Sequence, residues 1–119
     1  MTLIPKRFPK RVQDTLIGKY SATVPFRYEC FMCEHTLTSN DELVPELPAN
    51  IRTTATPVPG NGAIYRLIGD GTHTPTFNEL FVKAGGSADY DNTEDAVNLI
   101  TFLFDGVAYW YSIVQPATE

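Results

Sequence analysis

A chain of 119 residues, 43% of them hydrophobic, is the size of one domain and holds enough apolar material to offset folding entropy, which excludes a second full domain and a wholly disordered polymer. No run of about 18 apolar residues reads as a membrane span, and Met1-Thr2-Leu3-Ile4-Pro5-Lys6-Arg7 lacks the apolar core of a signal peptide, so the expectation is a protein made and kept in the cytoplasm. The net charge of −5 is unevenly divided: residues 1–27 carry six basic groups against Asp14 alone, net +5, whereas residues 28–119 carry three basic against thirteen acidic groups, net −10.

The elements follow in chain order. Pro5 and Pro9 bracket alternating basic and apolar residues, and proline fixes φ and removes donors, so residues 1–27 are expected to form an extended arm. Leu3, Ile4 and Phe8 are its apolar anchors, and Lys6, Arg7, Lys10 and Arg11 its cations. Between Tyr20 and Leu37 the β-formers Tyr20, Val24, Phe26, Tyr28, Phe31 and Thr36, interrupted by Pro25, predict short or edge strands. Pro45, Pro48, Pro57 and Pro59 mark the stretch from about 41 to 62 as a proline-rich connection. Strands are expected again at Ala63–Ile68 and at Phe77–Val82, separated by Gly69-Asp70-Gly71. One turn around Asp91–Ala96 is the only trace of helical periodicity.

The strongest local signal is Asn98–Val114, where two β-rich runs flank Asp105-Gly106. That pair suits a two-residue type I′ turn, which places Phe104 opposite Val107 and Phe102 opposite Tyr109. Ile100, Phe102, Phe104, Tyr109, Tyr111 and Ile113 then share one face, while Trp110 sits on the other with Thr101, Leu103 and Val114. Both faces are largely apolar, and a chain this short is not expected to cover both by itself. Self-association through this hairpin is therefore expected, with Ile100, Phe102, Phe104, Tyr109, Trp110, Tyr111 and Ile113 as the contact set. The fold class that follows is all-β: a small antiparallel β-sandwich, jelly-roll-like, over residues 28–119, preceded by the arm.

The stretch Arg66-Leu67-Ile68-Gly69-Asp70-Gly71-Thr72-His73-Thr74-Pro75-Thr76-Phe77, with Tyr90-Asp91-Asn92-Thr93 and the Asn98–Ile113 hairpin, resembles the C-terminal β-modules of phage virion proteins: head fibres, tail-fibre tips and capsid decoration proteins. The resemblance spans about residues 64–115 and rests on architectural motifs. It implies a homotrimer, with the major capsid protein or another virion protein as partner. The arm would dock on the shell, and the lack of a repetitive shaft favours a decoration protein or short spike over a fibre. The alternative is a module of a phage adhesion device that grips host-surface carbohydrate through the turns at Gly69-Asp70-Gly71 and Asp105-Gly106. Nucleic acid is disfavoured as a partner because the acidic body would repel phosphate.

Two constellations invite chemistry. Cys30, Cys33 and His35, with His73 as a fourth group, have zinc-ligand types, yet residues three apart on a strand point to opposite faces, so reduced thiols are expected and no cofactor. Asp89-Tyr90-Asp91-Asn92-Thr93-Glu94-Asp95 concentrates oxygen ligands, and an ordinary loop built on Asx-turns is preferred over calcium. Neither His35 nor His73 stands in a nucleophile–base motif, so no enzymatic activity is expected.

Overall fold

The structure is a computed structural model, and it describes residues 17–27, 29–46 and 59–116. These form eight strands and, among the described residues, no helix: β1 Thr23–Val24, β2 Phe31–Thr36, β3 Glu42–Pro45, β4 Gly62–Ile68, β5 Thr76–Phe77, β6 Phe81–Lys83, β7 Val97–Phe104 and β8 Tyr109–Val114. The protein is all-β, with a three-stranded sheet in the order β1-β3-β5 and a five-stranded sheet in the order β2-β4-β7-β8-β6. The pairing is mixed where antiparallel pairing was expected. Only β4–β7 and β7–β8 run antiparallel, and β1–β3, β3–β5, β2–β4 and β6–β8 are parallel.

Side chains of both sheets meet in one hydrophobic cluster. Val24 of β1 and Leu43 of β3 are buried with Cys33, Ala63, Tyr65, Leu67, Ile100, Phe102 and Ile113 of the larger sheet, and Phe77 of β5 packs against them. Alternation selects this set, because in β4 and β7 every second residue points inward. Rings dominate the contact: Phe77 stacks on Tyr111 at 3.8 Å, and Phe102 meets Tyr65 and Phe81 at 5.2 Å each. Fully burying each large side chain contributes about 1.5–3 kcal/mol.

Three local differences from the sequence expectation have clear causes. The proline-rich connection contains β3, the centre of the smaller sheet. Val44 and Glu46 donate their amides to Ala22 and Val24 of the β1 side. The donor that Pro45 lacks would point to the other neighbour, but β5 ends at Phe77 and the Asn78 carbonyl there is already taken by the Phe81 amide. Proline at this position thus sacrifices no ladder bond.

The single strand expected over Phe77–Val82 is two. The Asn78 side chain accepts from the Leu80 amide, and this Asx-turn carries the chain from the smaller sheet to the larger. The turn of helix expected around Asp91 is a loop.

The hairpin is a hairpin, but its register differs. Phe104 pairs with Tyr109 and Phe102 with Tyr111, so four residues, Asp105–Ala108, form the connection in place of two. The Asp105 carboxylate explains the longer loop. Its Oδ1 accepts the amides of Val107 and Ala108, both at 2.7 Å, its Oδ2 accepts the Trp110 indole N–H at 2.6 Å, and Gly106 supplies a φ of 101°. The shift is by two residues, so every side chain keeps its face.

Residues 17–27, assigned to the arm on sequence, belong to the body. The Gly18 amide donates to the Met32 carbonyl at 2.7 Å, and Val24, Pro25 and Phe26 are buried.

Candidate interaction surface

The five-stranded sheet has one face against the core and one turned away, and the register defines the second residue by residue. Gly62, Leu103, Trp110 and Val82 form one row across the strands. Met32, Ile64, Thr101 and Ser112 form the next, Glu34, Arg66, Leu99 and Val114 a third, and Thr36, Ile68 and Val97 a fourth. Met32 is 46% exposed, Leu103 43%, Val114 49%, Val82 39% and Leu99 38%. Around Leu99 the face dips into a shallow groove lined by Arg66, Val97, Leu99, Val114, Gln115 and Pro116. Among the described residues the charged side chains within the face are Arg66 and Glu34, directly opposite in register and joined in an ion pair, with the Asp105 carboxylate at its rim beside Trp110. The surface is thus mainly apolar with little net charge, of the kind that marks contacts between proteins.

The predicted contact set is divided by this geometry. Ile100, Phe102 and Ile113 lie in the chain's own core, Phe104, Tyr109 and Tyr111 pack half-buried against it, and Trp110 alone of the seven stands on the outer face, braced by Asp105. The outer-face residues Met32, Val82 and Leu99 were missed. Alternation in β7 separates the two faces, but it does not say which of two apolar faces the rest of the chain will cover. The arm residues Leu3, Ile4, Lys6, Arg7, Phe8, Lys10 and Arg11 lie outside the described residues.

The end of the molecule beyond β2 and β4 is polar. Tyr20 donates to Asp41 Oδ2 at 2.6 Å and stacks on His35 at 4.0 Å, while Ser39 donates to Asp41 Oδ1. Burial, with the adjacent Asp41 carboxylate, pushes the Tyr20 phenol far up, and the hydroxyl bonds from Ser39 and Tyr20 hold Asp41 below its ordinary value. Asp70 accepts the amides of His73 and Thr72 on Oδ1 and lies 2.5 Å from His73 Nδ1 through Oδ2. These bonds, those from His73 first, lower its carboxyl to about 2. This Asp–His pair was missed on sequence because its two members are joined by a turn rather than by a recognisable motif.

The thiols part company: Cys33 faces the core, where burial raises it to about 12, and Cys30 is exposed before β2 with a φ of 48°. Among the described residues no three His, Cys, Asp or Glu side chains converge as a metal site would require, and no helix is long and apolar enough to cross a membrane.

The acidic loop is built on internal bonds. Asp89 pairs with Lys83 at 2.6 Å, Asp91 accepts the Thr93 amide, and Asn98, fully buried, ties the loop to the sheet. Asn98 Oδ1 accepts from the Asp91 amide and from Gln115, and its Nδ2 donates to the Asp91 carbonyl at 2.9 Å.

No family model matches the chain, and no curated protein or solved structure matches it either. The functional reading therefore rests on the residues and their geometry.

Proposed function

We propose that this chain is a non-catalytic structural subunit of a phage particle, a capsid decoration protein or short spike, that works by docking. In this reading the two sheets serve as a compact sandwich, the basic segment preceding Ile17 grips an acidic virion surface, and the outer sheet face meets other subunits. One observation carries it: the hydrophobic core is complete on the inner face, yet the outer face still presents Met32, Val82, Leu99, Leu103 and Val114 to solvent. A sheet of a monomer with one face packed on its core normally turns polar residues to water on the other. The resemblance of residues 64–115 to phage virion β-modules supplies the assembly.

The test removes residues 1–16 and leaves the body from Ile17, because Gly18 is bonded to β2. The truncated chain is expected to fold and to be lost from purified particles, as measured by quantitative mass spectrometry. Neutralising Lys6, Arg7, Lys10 and Arg11 together is expected to weaken incorporation less than deletion, chiefly at low salt, where the charges are least screened. Incorporation of the truncated chain at full occupancy would refute anchoring by the arm. The adhesion reading retains one supporting feature, the Trp110 indole fixed on the outer face by Asp105. Binding of host glycans by the isolated protein, lost in Trp110→Ala, would decide for it.

A further inference from the structure

We infer that the outer face of the five-stranded sheet is the contact between two copies of this chain, each meeting the other with the same patch about a two-fold axis. The inference rests on the proposal of an assembling subunit and names the partner of its exposed face. It replaces the three-fold contact that the resemblance implied.

Charge selects the partner. Residues 17–119, the body with Lys19 and Arg27 included, carry five basic and thirteen acidic groups, so two bodies repel each other on balance. The outer face is where that repulsion is weakest: among the described residues the charges within it are Glu34 and Arg66, which neutralise each other, and Asp105 adds a carboxylate at its rim beside Trp110. A cationic partner would gain little from a nearly neutral face and would be drawn to the acidic surfaces elsewhere. Among the described residues this face is the largest apolar surface a second copy can meet against a weak opposing field. Self-mating of one patch is an isologous contact, which closes as a dimer.

Area sets the strength. Five strands about 4.8 Å apart, the longest of eight residues rising about 3.4 Å each, span on the order of 500–600 Å² per copy. Doubled, this is about 1,000–1,200 Å², the lower edge of what specific interfaces bury. The contact is therefore sufficient to pair copies held at high local concentration and too small for a permanent dimer in dilute solution. That suits a subunit first delivered singly and then gathered on a particle.

Sedimentation equilibrium of the full purified chain, from about 1 μM to 1 mM, tests this without any particle. A monomer–dimer equilibrium is expected, tightening several-fold as salt is raised from 20 to 500 mM, because salt screens the repulsion of the acidic bodies while leaving the apolar contact intact. Leu99→Glu is expected to weaken association at least tenfold, with the far- and near-ultraviolet circular dichroism of the parent. Leu103→Glu, at a separate exposed point of the same face, is the second variant should the first misfold. A chain monomeric throughout the range, a trimer, or a dimer unaffected by both substitutions would overturn the inference. So would an association that weakens as salt is raised. Because the readout uses the purified chain alone, it can fail while particle incorporation succeeds, and the reverse.

Discussion

The two faces of β7 come from one run of eight residues, Val97–Phe104, and have opposite fates. Asn98, Ile100 and Phe102 are at most 1% exposed, whereas Leu99, Thr101 and Leu103 look outward. Hydrophobicity does not separate them, since Leu99 and Leu103 are as apolar as Ile100. What separates them is that β1, β3 and β5 lie over one face only. An apolar side chain on the covered face stabilises the monomer, and one on the open face is available for association. The sharpest way to break this comparison is a pair of adjacent substitutions. Phe102→Ala should cost about 3–5 kcal/mol through lost transfer energy and a cavity, whereas Leu103→Ala, next to it, should stay within about 0.5 kcal/mol. Urea unfolding at low protein concentration measures both, and equal losses would show that the faces are not divided as described.

Asn98 tests the same face from its polar end. It is the one fully buried polar residue among those described, and its amide group makes bonds to Asp91, Gln115 and the Leu67 carbonyl. Asn98→Ala removes these while leaving the Asp91 amide and carbonyl without their partner. A loss of about 2–3 kcal/mol is expected, since each unsatisfied buried group costs about 1–3 kcal/mol and the loop can recover some bonds with water. Amide exchange should accelerate in Asp91–Ala96 before any change in β4. A stability change under about 0.5 kcal/mol would mean that the loop is held by its own turns instead.

How much of this was legible in the sequence depended on the range of the cause. Local causes were readable. The β-rich run Ala63–Ile68 marked β4 to within a residue, and the Asp105-Gly106 pair marked the hairpin. The register was misplaced because the Asp105 carboxylate collects two amides and the Trp110 indole, a set of bonds that dipeptide preferences do not express. Causes acting across the chain were not readable. Parallel partners such as β2–β4 and β6–β8 carry no turn between them, and Pro45 is acceptable in β3 only because β5 ends two residues early. The surface followed the same rule, for the sequence showed that the hairpin was apolar on both faces but not that Val24, Leu43 and Phe77 would cover the Phe102 face. Arg66 and Glu34, thirty-two residues apart, become neighbours only through that parallel pairing.

The smallest expected effect belongs to the polar end, at Asp70. Its carboxyl is lowered from the ordinary 3.8 to about 2, by the His73 and Thr72 amides and the His73 ring. A depressed folded-state value means that the ionised form is favoured by folding. Its contribution is therefore complete above about pH 4, declines as pH falls from about 4 to 2, and is absent below that. Because the group lies at the surface, solvent screens it, and local structure is a better readout than global stability. Amide chemical shifts of Thr72 and His73, followed by NMR from pH 5 to 1.5, should titrate together with a midpoint near 2, and Asp70→Asn should abolish that titration while leaving the amides of β7 unchanged. A midpoint near 4 would show that the Asp70–His73 turn is not formed in solution. The inner face of β7 would be untouched by that result, because no group of this turn reaches the cluster around Phe102.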